Sequence, residues 1–181
     1  QGMATQVAAS TGSRVAYVRA DLSRADEAEG LVGAATGVLG APDILVNNAG
    51  IQHTCPIESF PLERWNAILA VNLSAAFIAM KAAVPGMRSR GWGRIVNIAS
   101  VHGLVASVNK TAYLAAKHGL VGVSKGVALE TATQGITVNC ICPASAAHRM
   151  PVAKEGALTP EEQARARAFA AMYADHPLGR D

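Results

Sequence analysis

"RIVNIASVHGLVASVNKTAYLAAKHGLVGVSKGVALETATQGITVNCIC", Arg94 to Cys142, reads as a strand, a loop, a helix and a second strand. The runs "RIVNIA" (94–99) and "ITVNCIC" (136–142) are apolar and near-continuous rather than alternating. That pattern suits strands buried on both faces of a parallel sheet. Between them, "AYLAAKHGLVGVSKGVALETA" (112–132) reads as the crossover helix. Two parallel strands joined by a helix form the right-handed unit of an α/β fold.

The same grammar extends toward the N-terminus. "DILVNN" (43–48) and "VAYVRA" (15–20) are further strand candidates. "SRADEAEGLVGAATGVLG" (23–40) reads as a helix with Ser23 and Asp26 as its N-terminal capping pair and Gly40 as its stop. "LERWNAILAVNLSAAFIAMKAAV" (62–84) carries an apolar stripe at Trp65, Ile68, Leu69, Leu73, Ala76 and Met80. Asn72 interrupts that stripe at a core-facing position, where an amide needs partners. The expectation is a single domain over 1–181, a doubly wound parallel sheet. The sheet core spans 1–143, and 144–181 is a substrate-loop region with a charged helix over 159–174.

Composition narrows the function. The net charge of +3 is small and unclustered, so a nucleic-acid partner is not expected. No apolar run is read as a membrane span, and no signal peptide opens the chain. Cys55, Cys140 and Cys142 lack zinc spacing and read as small core residues of a reducing, cytoplasmic compartment.

In open α/β sheets, ligands bind outside the carboxyl ends of the strands. Here those ends hold Asp21, then Asn47, Asn48, Ala49 and Gly50, then Ser100, then Pro143. Tyr113 and Lys117 lie four apart, on one helix face. An ammonium beside a phenol favours the phenolate, and Ser100 is a donor for a carbonyl or alkoxide held nearby. On its own a Tyr-x-x-x-Lys pair suits ordinary surface packing as well. Trp65 and Trp92 read as packing residues, and His53 and His118 as structural ones.

Taken together, "NNAG" (47–50), Asn72, Ser100 and Tyr113-x-x-x-Lys117 resemble, in order and spacing, the short-chain dehydrogenase/reductase family. The likeness runs from about Val15 to Pro143 and implies a Rossmann-like fold. It also implies Tyr113 as general acid/base, with Lys117 assisting it and holding the nicotinamide ribose. Ser100 would orient the substrate oxygen, and Asn72 would hold a water of a proton relay. Asp21, Leu22, Asn48, Ala49, Gly50 and Pro143 would join Tyr113 and Lys117 in binding NAD, with NADP also open. A closer likeness, in "NNAGIQH", "IASVHGLVAS" and "KTAYLAAKHG", is to the bacterial D-3-hydroxybutyrate dehydrogenases. It implies a small 3-hydroxy acid as substrate, its carboxylate clamped by Gln52, His102 and Lys110. Without the likeness, Lys110 suits a solvated loop and His102 a turn. The family implies a homotetramer built on the helices over 62–84 and 112–132.

The sequence also departs from the family. The phosphate loop T-G-x-x-x-G-x-G is absent, and "TGVLG" (36–40) ends a helix before a strand, the wrong context for it. Against the family's length, the chain lacks the first strand–helix–strand unit and the last strand. Ala144 replaces a glycine, and His148 stands where a threonine is usual; "HPLGRD" (176–181) resembles the phrase before the last helix. A reductase of another carbonyl, such as a 3-oxoacyl thioester or a sugar, and a truncated non-catalytic scaffold are the alternatives.

Overall fold

A computed structural model of the chain describes residues 2–144. The charged helix expected over 159–174, His148 and the 176–181 phrase lie outside the described residues. The elements run α1 (Gly2–Thr11), α2 (Ala25–Leu39), β1 (Ile44–Asn47), α3 (Leu62–Leu69), α4 (Ala75–Arg90), β2 (Gly93–Ile98), α5 (Thr111–Thr131) and β3 (Ile136–Ile141). The three strands form one parallel sheet in the order β1-β2-β3. The α/β architecture expected from the sequence is therefore present.

Side chains on alternate strand positions face the helices. Ile95, Ile136 and Val138 pack with Val32, Ala79, Met80, Ala83 and Met87, while Leu45 lies against the same cluster. Met80, Met87 and Ile95 are essentially inaccessible. Each such side chain contributes about 1.5–3 kcal/mol on leaving water. The opposite face is open among the described residues: Ile44, Val46 and Ile141 are 59%, 55% and 50% exposed. This corrects the expectation of strands covered on both faces, since α2, α4 and α5 all contribute to the one packed side. Near-continuous apolar sequence records the capacity to be covered twice, not the covering.

Two further expectations change. Residues 15–20 form no strand, because no strand lies alongside them among the described residues to exchange ladder bonds. Ser23 and Asp26 do not cap α2. Asp21 Oδ1 instead accepts from Ser23 N (2.9 Å) and Ser23 Oγ (2.7 Å), a turn that holds Ser23 short of the helix. Arg24 occupies the cap position without a side-chain bond and pairs with Asp26. The stop at Gly40 is as expected: its φ is 89° and its N–H reaches Thr36 O.

The helix expected over 62–84 runs to Arg90, with Pro85 inside it and one wider, five-residue π-turn at Ala70–Ser74. By length and composition, Leu62–Arg90 is apolar enough to cross a membrane, which corrects the sequence reading. Its buried face, which includes Ile68, Asn72, Ala76, Met80 and Met87, lines the core instead.

Gly135, between α5 and β3, has φ 70°, and a Cβ there would lie 2.0 Å from Gly91 O. Gly135→Ala is expected to lower unfolding free energy in urea by about 2–4 kcal/mol. Gly33→Ala, in α2 with open space around it, should raise it by about 0.5–1 kcal/mol. Equal midpoints for the two variants would refute the backbone argument.

Candidate active site

The site begins where the β2–β3 ladder continues past the strands. Ala99 N donates to Ile141 O (2.8 Å) and Val101 N to Pro143 O (2.9 Å), so Pro143 sits beside Ser100. Ser100 is 8% exposed. Its Oγ accepts from His102 N (3.2 Å) and lies 3.3 Å from His102 Nδ1. The tight turn Val101–Gly103 presses onto α5, where a Cβ on Gly103 would stand 2.9 Å from the Lys117 carbonyl oxygen. Glycine is thus required by close approach, and that approach brings the His102 ring edge-on to Tyr113 at 6.0 Å.

Lys117 is 3% exposed and donates from Nζ to Ile98 O at 2.7 Å. It stands 5.7 Å from the centre of the Tyr113 ring. Burial lowers its pKa below the usual lysine range, opposed by attraction to Cys140 and Cys142. The ammonium is therefore held by one carbonyl in a poorly solvated place, where its charge acts strongly on a neighbouring phenol. Among the described residues, none hydrogen-bonds the Tyr113 hydroxyl, which leaves it open to a substrate.

Asn72 sits in the π-turn and is buried. Its amide satisfies the Ile51 backbone at both ends: Ile51 N donates to Oδ1 (2.8 Å) and Nδ2 donates to Ile51 O (2.9 Å). This bond pair seats the loop after β1. A Cβ built on Gly50 would lie 3.6 Å from Asn72 Oδ1 and 3.8 Å from Lys117 Nζ, so Gly50, Asn72 and Lys117 converge. Beside them an apolar cleft between α2, α4 and β1 is lined by Leu22, Leu31, Asn48 and Ala49, among others. Asp21 precedes it, exposed, its pKa lowered by the Ser23 hydrogen bonds.

Gln52 is exposed and donates to Thr54 Oγ1 (3.3 Å). Its loop is joined to the Lys110 loop through Cys55 N to Asn109 O (3.0 Å). Asn109 holds φ 61°, a left-handed conformation that asparagine tolerates better than most side chains. Lys110 follows as the residue preceding α5 and acts electrostatically on His102. His102 Nε2 lies 2.9 Å from Ser107 Oγ, so serine hydroxyls engage both of its ring nitrogens. A carboxylate reaching that ring would have to displace one of them. Ser107 and Asn109 were not legible as site residues, since both look like ordinary loop polarity.

A profile described as short chain dehydrogenase matches residues 1–156. The chain belongs to that family. It is 57% identical over 135 residues to a D-beta-hydroxybutyrate dehydrogenase of Cupriavidus necator, covering 75% of this chain and 52% of that protein. It is 50% identical over 138 residues to a protein of the same name in Rhizobium meliloti, covering 76% and 54%. An acetoacetyl-CoA reductase of Rhizobium meliloti is 45% identical over 105 residues, covering 58% and 44%. The chain thus spans about half the length of the first two relatives. The family uses a nicotinamide dinucleotide. The residues after β1 are compatible with such a group: an apolar cleft meets polar Asn48, and Gly50 leaves its backbone close to Lys117 Nζ.

Asn109→Gly should leave stability within about 0.5 kcal/mol, whereas Asn109→Ala should cost about 1 kcal/mol by denaturant melting. Equal costs would mean that φ 61° is not what selects asparagine. A second expectation concerns acid. Burial first, then Lys110, lowers the His102 pKa below 6.5. The unfolded chain then binds that proton more readily. The stability due to neutral His102 is complete above about pH 6.5 and is lost as pH falls through the lower folded value. Urea midpoints between about pH 7.5 and 5 should fall more steeply for the wild type than for His102→Gln. Parallel curves would assign the acid loss to other groups.

Proposed function

We propose that this chain carries the proton-transfer centre of an NAD-dependent dehydrogenase that oxidises a small 3-hydroxy acid, D-3-hydroxybutyrate, to its 3-oxo acid, acetoacetate. The observation that supports this reading is the run of contacts joining Ser100 to His102, His102 to Tyr113 and Tyr113 to Lys117, with Gly50 and Asn72 beside the Lys117 ammonium. The two relatives named D-beta-hydroxybutyrate dehydrogenase, each matched over about three quarters of this chain, support the substrate.

A bound nicotinamide supplies the hydride acceptor. Tyr113 takes the hydroxyl proton as the carbon–hydrogen bond gives up its electron pair, so the alcohol becomes a ketone. Lys117 stabilises the phenolate from its buried position and reaches toward the cofactor side through Gly50. Ser100 donates to the substrate oxygen, and Pro143, beside it, borders the nicotinamide. Asn72 acts by fixing the Ile51 backbone, with any water of the relay adjoining it. The carboxylate is met by Lys110 and by Gln52 on the joined loop, while His102 borders it with both ring nitrogens engaged by serine hydroxyls. Asp21 and Leu22 border the adenine end, with Asn48 and Ala49 between.

A cytoplasmic homotetramer fits this reading. Phe77 and Leu129, on α4 and α5, are exposed, and a shallow groove between those helices includes Val84, Pro85 and Val127. Light scattering of the purified protein tests the assembly: a monomer at micromolar concentration would remove it.

Tyr113→Phe in the enzyme should reduce kcat by about 10²–10⁴-fold with NADH affinity nearly intact. A variant keeping more than about a tenth of the rate would exclude Tyr113 as general base. Lys110→Ala should lower kcat/KM for hydroxybutyrate by about ten- to a few-hundredfold, as loss of a charge-assisted bond implies. The methyl ester of the same acid should lose little. Equal losses on acid and ester would withdraw the hydroxy-acid assignment.

A further inference from the structure

No part of the proton-transfer scheme uses Ser107. Its Oγ lies 2.9 Å from His102 Nε2, and His102 Nδ1 lies 3.3 Å from Ser100 Oγ. His102 is buried, and its backbone N–H also donates to Ser100 Oγ. A continuous line therefore runs Ser107, His102, Ser100, with Tyr113 edge-on to the His102 ring in its middle.

The line has two proton arrangements. In one, Ser100 donates its hydroxyl proton to Nδ1 and Nε2–H donates to Ser107. Ser100 then has no proton left for a substrate oxygen. In the other, Ser107 donates to Nε2, the ring carries its proton on Nδ1, and Nδ1–H donates to Ser100 Oγ. The Oγ then accepts twice, from Nδ1–H and from His102 N–H, and its own proton is free to point at the substrate. A neutral imidazole has one proton, so which of the two serines donates to the ring decides whether Ser100 keeps its own proton for the substrate.

We propose that Ser107 is a positioning residue that holds His102 as the Nδ1–H tautomer and thereby frees the Ser100 hydroxyl to donate to the substrate oxygen. This rests on the reading of Ser100 given above, but the tautomer itself is measurable without turnover. Burial and the nearby ammonium of Lys110 keep the imidazole neutral at working pH. Besides Lys110, the groups facing this ring among the described residues are Tyr113, across the edge-on contact, and the two serines. Lys117 lies beyond Tyr113.

The test is the pair of His102 ring ¹⁵N resonances at about pH 8 in this chain, for the wild type, Ser107→Ala and Ser107→Thr. The expected result is a protonated Nδ1 and bare Nε2 in the wild type and in Ser107→Thr. Ser107→Ala should shift the ring toward Nε2–H. In the enzyme, Ser107→Ala should lower kcat about three- to tenfold, the effect of one neutral hydrogen bond, with little change in the KM for NAD. Ser107→Thr should restore it. A proton on Nε2 in the wild type, or a tautomer unmoved by Ser107→Ala, overturns the proposal. If the tautomer moves as expected but Ser100→Ala leaves kcat unchanged, the reading of Ser100 fails while the role of Ser107 in setting the ring stands.

Discussion

The structure depends on a buried amide. Asn97, near the carboxyl end of the central strand and wholly inaccessible, accepts from Asn47 Nδ2 (2.7 Å) and donates to Ser124 Oγ (2.7 Å). Ser124 in turn donates to Leu120 O (2.6 Å) and receives Cys140 Sγ at 3.1 Å. One side-chain network thus ties β1, β2, β3 and α5 together at the level where the strands end. An unpaired amide in that position would cost about 1–3 kcal/mol, so alternatives that leave it unmatched are disfavoured. The network fixes the register in which Asn47 faces Asn97 and Asn97 faces Cys140. Asn48 directly follows the end of β1, and Ser100 and Pro143 lie two residues beyond the ends of β2 and β3.

From that register the site follows by short reaches. Lys117, two turns before Ser124 on α5, meets the carbonyl of Ile98, the residue next to Asn97. Asn72 reaches across from the π-turn to seat the chain just beyond Asn47 and Asn48. The widened turn is the local adjustment that lets an amide face the core without ending the helix. Gly103 admits the loop to the surface of α5, and the loop in turn places His102 by Tyr113 and Ser100 by His102. The site is therefore assembled from backbone carbonyls and loop seats rather than from long mobile side chains. That construction suits a centre that must hold a phenol, an ammonium and a hydroxyl at fixed separations.

The uncovered sheet face and the open Tyr113 hydroxyl belong to the same picture. Helices on one side supply the packing that orders the strand ends, while Ile44, Val46 and Ile141 remain in contact with solvent among the described residues. Among the described residues, the contacts that hold Ser100, Asn72 and Lys117 lie between β1 and Pro143.

Some of this was determined by the sequence alone. Tyr113 and Lys117 share a face because a helix repeats every 3.6 residues, and Asn72 stood out because an amide in an apolar stripe demands partners. The strands over 43–48, 94–99 and 136–142 were legible from their apolar runs, and the family from spaced motifs that span them. Tertiary structure alone decided the rest. Residues 15–20 carry strand chemistry but make no ladder, since a strand exists only with a neighbour. Ser23 and Asp26 had the spacing of a cap, yet Asp21 captured Ser23 first. The partner of Asn72 is the backbone of Ile51, which no side-chain pattern encodes. The link from Ser107 to His102 joins two loop positions five apart. Loop conformation has no period to read, so only folding against α5 could set that distance.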